Sequence, residues 1–264
     1  YSRAEALGQN PRMLRSGRHD REFCAALWRS LVDKGHWYGE IWNKRKNGEI
    51  FAEMQTISAV CDEDGHTRHY VALFSDITLI KAHEQQLEHI AHYDALTGLP
   101  NRVLLADRLQ QAMSQTQRRS QRLAVVYLDL DGFKAINDRH GHDIGDQLLM
   151  QLARRMRDTL RDSDTLARLG GDEFVAVLMD LDDTQASAPA LTRLLAAAAQ
   201  PVMLGNQPLQ VSASLGVTFY PQEGEVDADQ LMRQADQAMY QAKLAGKNRY
   251  HLFDAAHDHH IKGQ

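Results

Sequence analysis

The segment Ala124-Val125-Val126-Tyr127-Leu128-Asp129-Leu130-Asp131 constrains the fold more than any other stretch of this chain. It is apolar enough to form a strand buried on both faces, yet it ends in carboxylates. Charges at the end of a buried strand need a cation. A second acidic turn, Gly170-Gly171-Asp172-Glu173, links two strand-like runs, and paired glycines supply the positive φ angles that a tight hairpin demands. If these strands are neighbours, Asp129 and Asp172 converge as hard oxygen ligands, suited to Mg²⁺ bridging substrate phosphates rather than to a soft metal.

The periodicity around the two turns alternates. Helices are expected at 102–118, at 133–160 as a pair, at 184–199 and at 228–244. Strands are expected at 123–130, as a hairpin over 166–179, as a long region over 202–220, and at 250–253. This order predicts a sheet with helices packed against it. Directly after Asp131, Gly132-Phe133 opens a helix whose unpaired N–H groups and dipole would face phosphates, with Lys134 adding charge. Lys243 and Lys247, four apart, are expected on one face of the last helix as further phosphate partners. Each element has an ordinary alternative, because Asp-x-Asp and Gly-Gly-Asp are common turn chemistry and terminal lysines are usually solvated. Their joint occurrence points to a nucleoside triphosphate.

Upstream, residues 38–77 alternate apolar and polar side chains, with Asn47-Gly48 and Asp64-Gly65 where hairpin turns would sit, so three antiparallel strands are expected. Residues 19–33 place Phe23, Leu27, Leu31 and Val32 at helical spacing, with Gly35 as a stop. Residues 79–93 contain neither Pro nor Gly and step through Ile80, His83, Leu87 and Ile90. They read as a helical linker whose narrow seam either pairs with a second subunit or packs on its own domain. A length of 264 residues allows two domains with real cores. The net charge of -5 gives no general reason to expect a nucleic-acid partner. No run approaches the ~20 apolar residues needed to span a bilayer and no leader opens the chain, so no membrane contact is expected. Cys24 and Cys61 are too few for a disulfide framework and fit a reducing, cytoplasmic setting.

The first part of the chain resembles a PAS sensory domain through 1–8, Asn10-Pro11, Trp37-Tyr38-Gly39-Glu40 and Asp76-Ile77-Thr78. The match covers the later half of such a domain, so the chain is expected to open inside it. Pro11 stands where light-sensing relatives carry their reactive cysteine, which rules out a flavin-cysteine adduct. Haem through His19 or His36 has no second supporting feature, and no cofactor is assigned to this part.

Residues 94–253 resemble the GGDEF family of diguanylate cyclases. The matching segments are 94–102 (Asp-Ala-Leu-Thr-Gly-Leu-Pro-Asn-Arg), 129–138, Gly141-His142 with Gly145-Asp146, 168–174, 211–217 and 240–249. The resemblance implies an α+β, ferredoxin-like core related to adenylyl cyclases, working as a homodimer in which two GTP molecules become cyclic di-GMP. It implies that Asp129, the Leu130 carbonyl and Asp172 hold Mg²⁺, or Mn²⁺ in its place, with Glu173 beside them and Asp172 as proton acceptor. It places the Gly132 and Phe133 amides, Lys134, Lys243 and Lys247 on phosphates, and Asn137 and Asp146 on guanine, whose N1–H and 2-amino group need acceptors and whose O6 needs a donor. Arg161, Asp164 and, from the next helix, Arg193 match an inhibitory site for the product. The expected division is a partial PAS domain at 1–78, a linker at 79–93, the GGDEF domain at 94–254 and a tail at 255–264. That tail resembles the connector to an EAL phosphodiesterase domain, which leaves a second reading, a GTP-binding regulatory module with little turnover.

Overall fold

Helix signals and hairpin turns set the first part of the chain. In the computed structural model, which describes residues 1–205 and 207–254, the chain divides into two units between Glu88 and His89. The tail expected at 255–264 lies outside the described residues. In the first unit, α1 (Arg3–Ala6) carries a Ser2/Glu5 capping box. The next helix, α2 (Arg21–Lys34), starts where the Asp20 side chain accepts from the Phe23 N–H and stops at Gly35 in the left-handed region. Strands β1 (His36–Lys44), β2 (Ile50–Cys61) and β3 (Thr67–Asp76) form the expected antiparallel meander in that order. His19 Nε2 accepts from the Trp42 N–H at 2.8 Å, and His36 Nδ1 lies 3.1 Å from the Lys34 carbonyl. The linker is α3 (Thr78–His92), begun by Asp76, whose carboxylate accepts from both the amide and the hydroxyl of Thr78. Along it Ile80, Leu87 and Ile90 stay exposed.

The second unit is built around β4 (Arg122–Asp131), whose residues Leu123 to Val126 and Leu128 have no exposed surface. It follows α4 (Arg102–Arg119) and leads into α5 (Phe133–His140) and α6 (His142–Asp158). The hairpin β5 (Thr165–Gly170) and β6 (Glu173–Leu181) comes next, then α7 (Ala188–Ala199). Pro189 is seated in the first turn of α7, so the helix expected from 184 begins there, after a 3₁₀ turn at Gln185–Ser187. The region expected as one long strand over 202–220 is broken. Strands β7 (Val202–Leu204) and β8 (Gln207–Leu209) form a separate two-stranded sheet, and only β9 (Ser212–Tyr220) joins the main one. Gly205 at positive φ turns the chain, and Pro208 has no N–H to give a central ladder. Then α8 (Ala228–Leu244) and β10 (Arg249–Leu252) close the domain.

The main sheet has the order β10-β9-β4-β6-β5, antiparallel except where β10 runs parallel to β9. One face packs Leu128, Leu130 and Phe174 against Leu148, Leu152 and Leu194 of α6 and α7. The other packs Val125, Tyr127 and Val175 against Leu105 and Leu109 of α4 and Leu231 and Met239 of α8. The strand read as buried on both faces is therefore the central strand. Helix α8 lies on β9 at Gly216, where a Cβ would come within 2.0 Å of both the Ala235 carbonyl oxygen and the Met239 nitrogen. Gly216→Ala must push the helix off the sheet. We expect this variant to lose about 1–3 kcal/mol of stability, read by urea or thermal unfolding.

Candidate active site

Strand pairing brings the two acidic turns together. Asp129 on β4 stands opposite Glu173 on β6, and the Leu130 N–H donates to the Asp172 carbonyl at 3.2 Å. The four residues expected at a metal, Asp129, Leu130, Asp172 and Glu173, thus share one end of the sheet. The turn between β5 and β6 needs its glycines, with φ of +145° at Gly170 and +50° at Gly171. Arg168, one turn earlier on β5, holds it. Its Nε and Nη2 donate to the Gly171 carbonyl at 3.0 and 2.8 Å, while Nη1 donates to both Asp94 oxygens at 2.9 and 3.1 Å. Asp94 also accepts from the amide and hydroxyl of Thr97. Burial pushes the Asp94 carboxyl up, but Thr97 and Arg168 outweigh it and hold the group below its ordinary value. The sequence reading used this stretch only for resemblance; the clue it offered was an arginine beside Gly-Gly together with Asp-x-x-Thr.

The two aspartates of Asp-x-Asp separate in role. Asp131 accepts from the hydroxyls of Ser212 and Ser214 at 2.7 and 2.8 Å and from the Asn248 N–H at 3.3 Å, tying β4 to β9 and to the start of β10. Asp129 meets the Lys243 ammonium of α8 at 2.8 Å. Burial raises the Asp129 carboxyl above its ordinary value; Lys243 opposes this, and the negative charges of Asp172 and Asp131 add to it. Tyr127, two residues before Asp129 on the same face of β4, is pushed up to about 12, first by burial and then by the charge of Glu173, to which its hydroxyl donates. It stays a donor at neutral pH. Sequence reading gave neither Asp131 nor Tyr127 a role.

The remaining expected residues fall into place unevenly. Gly132 precedes α5 with no side-chain cap, so no side chain closes the start of that helix, and Lys134 is exposed beside it. Lys247 does not share a helical face with Lys243. Helix α8 ends at Leu244, and Lys247 and Asn248 follow at φ of +61° and +48°, because the chain must turn back to bring Asn248 to Asp131. Asn137 on α5 packs against Gly145 on α6, with its Oδ1 buried and without a protein partner, while Asp146 beside it is exposed. On the far side of the hairpin, Arg161, Asp164 and Arg193 line one small depression with Met179, Pro189 and Ala190. There Asp164 accepts from the Arg161 and Met179 amides, both at 3.0 Å, and Arg193 donates to the Thr159 carbonyl. Asp62, Asp64 and His66 also bring possible ligand atoms together, but Asp62 serves there as a turn staple, accepting from the amides of Asp64 and His66 and from Arg68.

The family profile described as "Diguanylate cyclase, GGDEF domain" matches residues 91–249. The chain belongs to this family. Among curated proteins, this GGDEF chain is 44% identical over 172 residues to "Bifunctional diguanylate cyclase/cyclic di-GMP phosphodiesterase MucR" of Pseudomonas aeruginosa, a match covering 65% of the chain and 25% of MucR. The chain spans about a quarter of the length of such relatives. Among solved structures, the isolated GGDEF domain of TpbB (YfiN) from the same organism has 37% identity and a TM-score of 0.59, covering 62% of this chain and 95% of that one. The coiled coil and GGDEF domain of DgcB from Caulobacter crescentus, solved in complex with c-di-GMP, has 25% identity and a TM-score of 0.60, covering 67% and 93%. The sheet with flanking helices is thus the GGDEF fold.

The oxygen set at the sheet end fits a hard divalent cation. A carboxyl whose folded-state value is raised contributes stability below its unfolded value and loses it as pH rises through the folded one. Asp129→Asn is therefore expected to raise the melting temperature at neutral pH, with the gain vanishing in acid. A melting-temperature difference independent of pH between 4 and 8 would contradict this.

Proposed function

We propose that the chain is a diguanylate cyclase that condenses two GTP molecules into cyclic di-GMP and two pyrophosphates, working as a homodimer with Mg²⁺ or Mn²⁺. The observation that carries this reading is the meeting of Asp129 and Asp172 at one sheet end, beside the uncapped start of α5. Asp129, the Leu130 carbonyl and Asp172 would hold the cation, with Glu173 alongside. When bound, the cation neutralises charge on the triphosphate and on the departing pyrophosphate.

The chain's own groups do the rest. Amides of Gly132 and Phe133, with Lys134, hold the phosphates from the helix start. Lys243, the counter-charge of Asp129, would turn to phosphate, and Lys247 would approach from the turn after α8. Asn137 and Asp146 read guanine. Asp172 takes the proton of a GTP 3′-hydroxyl. The freed oxygen attacks the α-phosphorus of the GTP held by the other domain, the bond from α-phosphorus to the bridging oxygen breaks, and pyrophosphate leaves; the reciprocal step closes the ring. One domain holds only half of the reacting groups, so turnover depends on how two copies meet. The N-terminal meander and α3 are read as a partial PAS domain and linker that control that meeting. Arg161, Asp164 and Arg193 are read as a site for the product, with Arg161 forking onto its phosphate.

A second reading has a specific basis: the name of MucR carries both a cyclase and a phosphodiesterase activity, and the match covers a quarter of it. On that reading the domain binds GTP and regulates an EAL phosphodiesterase domain with little turnover of its own. Incubation with GTP and Mg²⁺ at high protein concentration separates the two. Cyclic di-GMP production that rises steeply with protein concentration and falls by at least ~100-fold in Asp172→Ala supports the cyclase. GTP binding without product favours the regulatory module, and retained activity in Asp172→Ala overturns the metal and base assignments. If the product site is correct, Arg161→Ala keeps its initial rate while its progress curves no longer flatten as cyclic di-GMP accumulates.

A further inference from the structure

The start of α6 approaches α5 closely at Gly145, which is buried. A Cβ placed there would lie 1.8 Å from Asn137 Oδ1, 2.9 Å from Asn137 Cγ and 3.3 Å from Phe133 Cζ. The first two distances are far inside contact, so no residue with a side chain fits while Asn137 keeps its rotamer. The oxygen pressed into this space is buried and accepts nothing from the protein. A buried acceptor without a donor costs free energy, and a surface asparagine would relieve it by turning toward water. The seat at Gly145 instead leaves room for the Asn137 amide, with its oxygen against α6.

We propose that Gly145 is a positioning residue for base recognition: its missing side chain fixes the Asn137 amide so that one edge is presented to the purine in a set direction. This rests on the guanine reading given above for Asn137 and Asp146. With Oδ1 turned onto Gly145, the outward end is the amide NH₂, a donor that suits O6 of guanine and meets a second donor, the 6-amino group, in adenine. Acceptance from N1–H and the 2-amino group then falls to Asp146, exposed one residue after the seat. The division of labour between the two residues is built into the contact between α5 and α6.

The test uses 3′-deoxy-GTP and 3′-deoxy-ATP with Mg²⁺, which cannot react, and measures binding to the wild type, Gly145→Ala, Asn137→Ala and the double variant. Gly145→Ala is expected to reduce the preference for the guanine nucleotide about tenfold, the scale of one polar contact in a base site. A purely structural lesion would weaken both nucleotides alike. Asn137→Ala removes the atom that clashes, so the double variant should match Asn137→Ala in affinity and regain the thermal stability lost in Gly145→Ala. Losses that add in the double variant, an unchanged preference in Gly145→Ala, or a double variant that fails to fold each overturn the proposal. A wild type that binds neither nucleotide sinks the guanine reading itself, a result distinct from binding that Gly145→Ala leaves intact.

Discussion

The ion pair between Arg168 and Asp94 connects three parts of the second unit that no single strand joins. Its guanidinium sits on β5, grips the carbonyl of Gly171 in the hairpin tip with two nitrogens, and reaches both oxygens of Asp94, in the turn that follows α3, with the third. The Arg168 amide reaches the Pro100 carbonyl in the same segment. Asn101 then donates from its backbone and side chain to the carbonyls of His92 and Ala91 at the end of α3. A part-buried ion pair stabilises where its partners are satisfied, and here one guanidinium nitrogen meets both carboxylate oxygens while Thr97 completes the carboxylate's set. The tip that presents Asp172 is thereby fixed relative to residues 91–101, which lie close to the last turn of the linker helix.

Residues whose chemistry is local were readable in advance. The apolar run ending at Asp129 declared the central strand, Gly170-Gly171 declared the hairpin, and Gly35 closed its helix where the periodicity stopped. The meander of the first unit followed from alternation and two turn glycines. What escaped depends on partners far away in the chain. Asp129 and Asp131 carry the same side chain two residues apart, and only Ser212, Ser214 and Asn248, more than eighty positions later, assign one of them to structure. Lys247 kept helical spacing from Lys243, yet the return of the chain to Asp131 ended the helix between them. Three-residue strands at β7 and β8 offered too short a pattern to separate from β9 by alternation alone.

Electrostatics at the sheet end show which side of the balance each acid occupies. Asp94 is held in its charged form by its surroundings, whereas Asp129 is disfavoured in that form even with an ammonium against it. The first arrangement belongs to a scaffold. In the second, burial and the charges of Asp172 and Asp131 outweigh the Lys243 ammonium. Tyr127, kept protonated beneath Glu173, adds a fixed dipole to the same pocket of charge.

The separate duties of Asp129 and Asp131 have a consequence for descent. Because the latch at Asp131 holds β4, β9 and β10 together without help from Asp129, a lineage can change Asp129 without untying those strands. The architecture survives, with the start of α5 and the depression at Arg161 still in place. Such a fold separates what holds the sheet end together from what the sheet end presents, so the two can diverge independently in descent.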